Sequence, residues 1–258
     1  MGVLHTTIDD GVAVITLSRP EARNALNKEL LDALDDTFAD LDQNDAVRCA
    51  VITGEGKAFC AGIDLSAMEA DPPALLLHQA AHTIAQRRFP LIAAVNGAAI
   101  TGGLELALQA DFRFAAPTAL FADTHVLVGI VPGWGMSTLL PEAIGEARAR
   151  EMSFTGRFVG ADEAARIGLV NRVVEDDVVH EAIASAQVIA GYEPSAVAQI
   201  RGLYRGHRAA RLDARQQVET QVFNQTVAAL TPDDVRARRE IIIARGRTLA
   251  PKPGPENA

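Results

Sequence analysis

AVNGAAITGGLELA, residues 94–107, reads as an apolar strand that breaks into glycines and resumes at once as a helix that carries Glu105. Gly97, Gly102 and Gly103 can adopt backbone conformations that other residues resist, so the chain can turn sharply and approach a ligand closely. The first amides of a helix have no partner within it and lie at the positive end of its dipole, which suits a developing oxyanion. The segment therefore predicts a strand, a turn and a helix that bring backbone amides and one carboxylate to one place.

Taken alone, this segment leaves other interpretations open. A glycine-rich turn between a strand and a helix also serves close packing or phosphate binding, and a glutamate in a first helical turn also compensates the helix dipole. A second segment, VITGEGKAFCAGIDL at residues 51–65, favours the catalytic interpretation because it repeats the design. It contains a buried strand, a loop and a glycine turn at Ala61-Gly62-Ile63, so two turns can supply two amides to one oxygen.

Both segments resemble a known family, the crotonase or enoyl-CoA hydratase/isomerase superfamily, whose hallmarks are similar to AFCAGIDL followed by AAVNGxxxxGGxE. The resemblance continues through LSRPEARNALN at 17–27, FADTHVLVGIVPGWG at 121–135 and TGRFVGADEAARIGLVNRVV at 155–174, and so extends over nearly all of the chain. It implies an α/β fold built as a spiral of repeated ββα units. It also implies that the backbone amides of Ile63 and Gly102 form an oxyanion hole for a thioester carbonyl.

The expected ligand also comes from this resemblance, which implies a coenzyme A thioester as the substrate and no separate cofactor. Family members hold the nucleotide of coenzyme A near the first glycine turn and the RPEARNAL loop. Arg23 is therefore a candidate for a phosphate contact, and Ala61, Gly62 and Asp64 are candidates for substrate contacts. Arginine suits a phosphate, although an ordinary surface arginine is the alternative for this position.

The chain departs from the family where an ordinary hydratase carries a second glutamate, in a segment resembling FxxPExxLGxxPGxGG. Counting from Phe121 to Gly129 and Pro132 without a gap places His125 at the position of that glutamate. Histidine titrates near neutral pH, so His125 can replace the missing acid or base while Glu105 activates water. The alternative is that His125 only packs in the wall of the pocket.

Two further sets of polar residues are considered for the site. Asp123 would share a face with His125 if this segment is extended and could orient the imidazole, although a loop or capping role is the alternative. His78 and His82 lie one helical turn apart, but no third ligand accompanies them, so no metal site is predicted.

The simplest activity that the resemblance implies is hydration of a trans-2-enoyl-CoA to a 3-hydroxyacyl-CoA, in fatty-acid or related acyl-CoA degradation. Glu105 and His125 are the expected catalytic pair. Two alternatives remain because the second glutamate is replaced. One is an enoyl-CoA double-bond isomerase, which needs a single base, and the other is a non-catalytic acyl-CoA-binding protein.

The composition of the 258-residue chain predicts a single compact enzyme, with 48% hydrophobic residues. Its 33 acidic and 24 basic residues give a net charge of −9, which argues against a nucleic-acid partner. No charged and apolar leader and no run long enough for a membrane span are recognised, so a cytoplasmic protein without a membrane partner is expected. Cys49 and Cys60 indicate neither a disulfide framework nor a metal cluster.

The alternation of apolar runs and glycines predicts the order of elements. Residues 1–190 are expected to form the crotonase-like spiral core, and residues 191–258 a C-terminal helical region that ends in a disordered tail, PKPGPENA. By resemblance only, this helical region is expected to join subunits into a homotrimer or a dimer of trimers. The predicted strands are Leu4–Ile8, Val12–Leu17, Ala50–Thr53, Leu91–Val95, Phe112–Ala115 and a short one near Leu169–Val174, and the predicted helices are 28–42, 73–88 and 103–109.

Overall fold

A computed structural model of the chain describes residues 2–239, with the side chains of all of these except 72–73 and 207–216. The strands are β1 (Leu4–Asp9), β2 (Val12–Leu17), β3 (Cys49–Gly54), β4 (Ala58–Cys60), β5 (Leu91–Val95), β6 (Ala98–Ile100), β7 (Phe112–Ala115), β8 (Leu120–Ala122), β9 (Val159–Gly160) and β10 (Arg172–Val173). The helices are α1 (Lys28–Gln43), α2 (Leu65–Ala70), α3 (Pro72–Leu76), α4 (Ala80–Gln86), α5 (Gly102–Leu108), α6 (His125–Val128), α7 (Met136–Ile144), α8 (Glu146–Thr155), α9 (Ala161–Ile167), α10 (Val178–Ala190) and α11 (Pro194–Ala229). A 3₁₀ turn spans Pro20–Ala22, and residues 232–239 are also helical.

The strands belong to two sheets, and the chain alternates between them. The larger sheet has the order β1-β2-β3-β5-β7-β10, and the smaller has the order β4-β6-β8-β9. In the larger sheet the β1–β2 hairpin is antiparallel and the other pairs are parallel. Three successive pairs of strands place one strand in each sheet, and a helix follows each pair. These pairs are β3–β4, β5–β6 and β7–β8. This repetition confirms the α/β fold class and the spiral of ββα units.

Local chemistry explains why the predicted elements form. The hairpin turns at Asp10 and Gly11, both of which have positive φ, as a type I′ turn requires. Strands β3 and β5 are buried along their whole length, as expected for apolar runs inside a parallel sheet. Asn27 caps α1 by accepting the amide of Leu30. Helix α10 covers the outer face of the larger sheet with a stripe of small side chains that includes Ala182 and Ala186.

Two predicted elements differ from the structure. The single helix expected over 73–88 is wrong, because the chain breaks between α3 and α4. At the break, Nδ1 of His78 accepts the amide of Ala80, and its Nε2 lies 2.9 Å from Oδ1 of Asp32 on α1. A side chain thus replaces the helical hydrogen bond. The strand expected near Leu169–Val174 contains only the two residues of β10.

The C-terminal region is helical as far as residue 239. Long helix α11 packs against α7 and α3. The tail that the sequence predicts to be disordered lies outside the described residues. Within residues 2–239, none of the helices combines the length and apolar composition needed to cross a membrane.

Candidate active site

The candidate site lies at the carboxyl ends of three neighbouring parallel strands of the smaller sheet, β4, β6 and β8. The segment after β4 carries the first glycine turn, the segment after β6 carries Gly102 and Glu105, and the segment after β8 carries His125. Neighbouring strands are about 4.8 Å apart, so the three segments that follow them meet along one edge. The spiral therefore brings the predicted oxyanion and catalytic residues together.

The two glycine turns contact each other directly. A Cβ atom at Gly62, whose φ is +94°, would lie 2.7 Å from the carbonyl oxygen of Ile100 and 3.6 Å from the amide nitrogen of Gly102. A Cβ atom at Gly103 would lie 2.1 Å from the carbonyl oxygen of Cys60. Glycine is thus required at both positions, because a larger residue would push the two backbones apart.

Hydrogen bonds fix the first of these turns while two backbone amides, predicted to form the oxyanion hole, stay without an acceptor among the described residues. The amide of Leu26 donates to the carbonyl of Gly62 at 2.8 Å, and its carbonyl accepts the amide of Asp64 at 3.0 Å. These bonds fix the turn on both sides of Ile63. Among residues 2–239, neither the amide of Ile63 nor that of Gly102 donates a hydrogen bond. Both remain available to a ligand oxygen.

An unusual backbone conformation at Thr101 starts helix α5. Its φ of 53° and ψ of −111° are rare for a β-branched residue, and such outliers persist only where neighbours fix them. The Thr101 amide donates to the carbonyl of Ala122 at 2.8 Å. Its hydroxyl accepts the amide of Thr124 at 3.2 Å and forms a hydrogen bond with the hydroxyl of Thr124. The start of α5 is therefore tied to the segment that carries His125.

Glu105 lies in a helix with no exposed residue, and only 3% of its own surface is exposed. Its Oε1 accepts the amides of Trp134 at 2.9 Å and Met136 at 3.2 Å. Burial raises the pKa of Glu105 to about 7, with the charges of Glu219 and Asp123 acting in the same direction and His125 and the Trp134 amide opposing it. The carboxyl group therefore changes protonation near neutral pH, as a general base requires.

His125 faces Glu105 from one side and Asp123 from the other. Its Nδ1 lies 2.6 Å from Oδ1 of Asp123, and its Nε2 lies 3.6 Å from Oε2 of Glu105. All three side chains are buried. Burial lowers the pKa of His125, but the hydrogen bond to Asp123 and the negative charges of Glu105, Asp123 and Glu219 outweigh burial and raise it above its ordinary value.

Asp123 lies in the loop between β8 and α6. It therefore does not share the face of an extended strand with His125. Its Oδ1 also accepts the amide of His125, at 3.2 Å. Burial raises the pKa of Asp123, but hydrogen bonds and the charge of His125 outweigh that effect and lower it. Asp123 therefore stays ionised, accepts Nδ1–H and leaves Nε2 facing Glu105.

The residues predicted to contact substrate lie together beside the first glycine turn. Arg23 is exposed, and its carbonyl accepts the amide of Ala61 at 3.0 Å. The carboxylate of Asp64 caps α2 and lies 3.1 Å from a guanidinium nitrogen of Arg19, so it already has local partners. Their contacts with coenzyme A stay predictions.

Cys60 and the histidine pair have structural surroundings. Burial raises the pKa of the Cys60 thiol to about 12, so it remains protonated and unsuited to nucleophilic attack. His82 is exposed on α4, whereas His78 bonds to Asp32 and to the start of α4. In the part of the chain that the structure describes, no group of three or more histidine, cysteine or acidic side chains could hold a metal ion.

Glu219 is the site residue that sequence reasoning missed. It belongs to α11, and its carboxylate accepts the amides of Gly135 at 2.6 Å and Ser137 at 2.9 Å, together with the Ser137 hydroxyl. One signal was present in the sequence. Glu219 lies four residues before Phe223 and eight before Val227, both buried, so a glutamate occupies one position of an apolar helical stripe.

Comparisons with known proteins find matches along most of the chain. Residues 7–235 match the family described as Enoyl-CoA hydratase/isomerase. A probable peroxisomal enoyl-CoA hydratase 1 from Arabidopsis thaliana is 35% identical over 244 residues, covering 92% of this chain and 91% of that protein. A crotonyl-CoA hydratase from Syntrophomonas wolfei is 41% identical over 190 residues, covering 71% of this chain and 72% of that protein.

Solved structures show the same fold. An enoyl-CoA hydratase/isomerase from Pseudoalteromonas atlantica matches with a TM-score of 0.84 and 32% identity, covering 94% of this chain and 97% of that one. An enoyl-CoA hydratase from Mycobacterium smegmatis matches with a TM-score of 0.79 and 36% identity, covering 89% of this chain and 100% of that one. Together with the paired glycine turns and buried Glu105, these matches show that the chain belongs to the enoyl-CoA hydratase/isomerase family, the crotonase superfamily.

Proposed function

We propose that this protein is an enoyl-CoA hydratase that adds water to a trans-2-enoyl-CoA and gives a 3-hydroxyacyl-CoA. The observation that carries the proposal is the buried pair of Glu105 Oε2 and His125 Nε2, 3.6 Å apart, at the same sheet edge as the amides of Ile63 and Gly102, which have no acceptor among residues 2–239. A base and an acid are both present, together with donors for the thioester oxygen. The hydratase names of the relatives support the same activity.

In the proposed reaction, the amides of Ile63 and Gly102 hydrogen-bond the thioester carbonyl as negative charge develops on it. The ionised Glu105 accepts a proton from water while the water oxygen bonds to the β-carbon. Protonated His125 donates its Nε2 proton to the α-carbon. The hydrated product leaves a protonated Glu105 and a neutral His125, and transfer of one proton from the first to the second restores the enzyme.

Asp123 supports this division of roles. By accepting Nδ1–H at 2.6 Å it fixes the imidazole so that Nε2 faces Glu105, and its charge stabilises the imidazolium. A double-bond isomerase needs one base, and an acyl-CoA-binding protein needs none. The buried Asp123–His125 pair directed at Glu105 therefore favours hydration over both alternatives.

The proposed activity is tested by incubating the purified protein with saturated, 2-enoyl and 3-enoyl CoA thioesters of equal chain length. We expect only the 2-enoyl thioester to gain the mass of one water as its conjugated double bond is lost. Conversion of the 3-enoyl to the 2-enoyl thioester without a water adduct would identify an isomerase. Binding without any product would identify a non-catalytic protein.

The pH dependence of kcat/KM should be bell-shaped, because Glu105 must be ionised and His125 protonated. Glu105 has a pKa raised to about 7, so activity should fall as the pH decreases through that region. The pKa of His125 is raised above its ordinary value, so activity should fall again as the pH increases past it. The apparent values belong to the coupled pair.

In His125→Gln the alkaline limb should disappear and kcat should fall by about 10²-fold, the lower end of a general acid's contribution. Loss of the imidazolium removes a charge that lowers the pKa of Glu105, so the acidic limb should move to higher pH. His82→Gln, an exposed histidine, is the matched control and should keep both limbs. An intact alkaline limb in His125→Gln would mean that His125 transfers no proton and only packs in the wall of the pocket.

Further proposals extend to assembly and substrate. A homotrimer or a dimer of trimers is supported by large apolar side chains that are exposed on and beside α10 and α11. These are Val188, Tyr192, Ile200, Leu203 and Tyr204. Arg23 would contact a coenzyme A phosphate, and the pathway would be degradation of fatty or related acyl chains. The cytoplasmic location stays a prediction, since one relative is named as peroxisomal.

A further inference from the structure

Four consecutive backbone amides at the start of α7 are divided between two buried carboxylates. The amides of Trp134 and Met136 donate to Oε1 of Glu105, at 2.9 and 3.2 Å. The intervening amide of Gly135 donates to Oε1 of Glu219 at 2.6 Å, and the next one, of Ser137, donates to its Oε2 at 2.9 Å. The same short segment therefore holds the proposed catalytic base on one side and Glu219 on the other.

Glu219 reaches this segment from helix α11, and packing fixes its approach. One turn further along α11, the ring of Phe223 packs against Gly133. A Cβ atom built on Gly133 would lie only 2.8 Å from that ring. Glu219 itself is only 8% exposed. The segment is also held by Gln109, whose Nε2 donates to the carbonyl of Trp134 at 2.8 Å. The orientation of the α7 amides thus depends on contacts from α5 and α11 together.

We propose that Glu219 is a positioning residue, which holds the start of α7 so that the amides of Trp134 and Met136 keep Glu105 in one orientation. This inference rests on the hydratase activity proposed above. In the proposed hydration reaction, Glu219 does not touch the reacting atoms. Its effect on catalysis passes through the α7 amides and through its charge, which acts on Glu105 and His125.

The charges predict the direction of the electrostatic effect. The carboxylate of Glu219 raises the pKa of both Glu105 and His125, because it repels a second negative charge and attracts the imidazolium. Asp123 acts on both groups in the same direction, and Glu105 and His125 act on each other. Removal of the Glu219 charge alone should therefore move both limbs of the pH profile to lower pH.

The test is Glu219→Gln, which keeps the length of the side chain but removes its charge and one acceptor. We expect kcat to fall by at least about tenfold with KM little changed, because misplacement of a reacting group by about 1 Å can cost about 100-fold. Both limbs of the kcat/KM profile should shift to lower pH. Glu219→Asp, which retains the charge, should restore the limbs toward their original positions. Wild-type kcat and an unshifted profile in Glu219→Gln would overturn the proposal.

A second variant tests whether Glu219 positions the start of α7 or only attaches the C-terminal helices to the rest of the protein. Arg236 lies in the helix over residues 232–239 and donates to Glu69 on α2 at 2.7 Å and to Asp233 at 2.9 Å. Arg236→Gln should leave the limbs of the pH profile in place. Equal shifts in Arg236→Gln and Glu219→Gln would mean that Glu219 only holds α11 down, and the proposal would be wrong.

The fluorescence of Trp134 tests the positioning of α7 without any turnover of substrate. Trp134 is the only tryptophan of the chain, and its backbone is bonded to Glu105. Its fluorescence emission should change in Glu219→Gln and stay unchanged in Arg236→Gln. If the wild type hydrates no enoyl-CoA, the proposed function fails, but a change of emission in Glu219→Gln still supports the positioning of α7. Unchanged emission in Glu219→Gln contradicts that positioning whatever the activity.

Discussion

Glu105→Gln is expected to lower kcat for hydration by about 10³-fold, within the range of roughly 10²–10⁴ that general acid–base catalysis contributes. The amide oxygen of glutamine can still accept the amides of Trp134 and Met136, so the local structure should be retained. Glutamine cannot take a proton from water. Steady-state kinetics with crotonyl-CoA, together with the melting temperature of the variant, measure the two effects separately.

The matched control is Glu175→Gln, at an exposed glutamate in the loop before α10. It should retain wild-type kcat and KM. Full activity in Glu105→Gln would exclude Glu105 as the base. A large fall in both variants would point to a general effect of charge.

Gly103→Ala is expected to cause the largest loss of stability among single substitutions at the site. The added Cβ would lie 2.1 Å from the carbonyl oxygen of Cys60 and 2.9 Å from its Cβ, and both neighbours are buried backbone or core atoms. Overpacking a core typically costs about 1–3 kcal/mol and occasionally more, and here the obstacle is backbone, so we expect about 3 kcal/mol. At about 2–4 °C per kcal/mol for chains of 150–250 residues, the melting temperature should fall by about 6–12 °C.

Activity should fall with stability in this variant, because the clash pushes the start of α5 away from the first glycine turn. Gly202→Ala is the matched control, since no described atom lies within 4 Å of a Cβ built at that position of α11. Alanine is favoured over glycine inside a helix by about 1 kcal/mol, so its melting temperature should stay the same or increase slightly. Equal melting temperatures for the two variants would contradict the required close approach at Gly103.

The sequence predicts those parts of the fold that depend on neighbouring residues. Asp10-Gly11 identifies the first hairpin, Asn27 identifies the start of α1, and uninterrupted apolar runs identify β3 and β5. The break near His78 could not be predicted, because its bond to Asp32 joins residues far apart in the chain. Strands of two or three residues, such as those of the smaller sheet, are too short to show a period.

The same distinction applies to the site. The amides of Ile63 and Gly102 and the carboxylate of Glu105 belong to local motifs, so the sequence places them on turns and on a helix. The sequence predicts that Asp123 can orient His125 from the same strand face, whereas in the structure their bond forms across a loop turn. Glu219 lies 84 residues from the amide of Gly135 that it binds, and no local pattern specifies that contact.

The smaller sheet has a consequence for how such an enzyme can diverge. Its three parallel strands lead to the same edge, where in the proposed mechanism β4 is followed by one amide, β6 by a second amide and the base, and β8 by the histidine. In this mechanism, substitutions after β8 would change how protons move while the thioester contacts after β4 and β6 are retained. His125 has this separate position: in the proposed mechanism it supplies its proton from the segment after β8, which contributes neither amide.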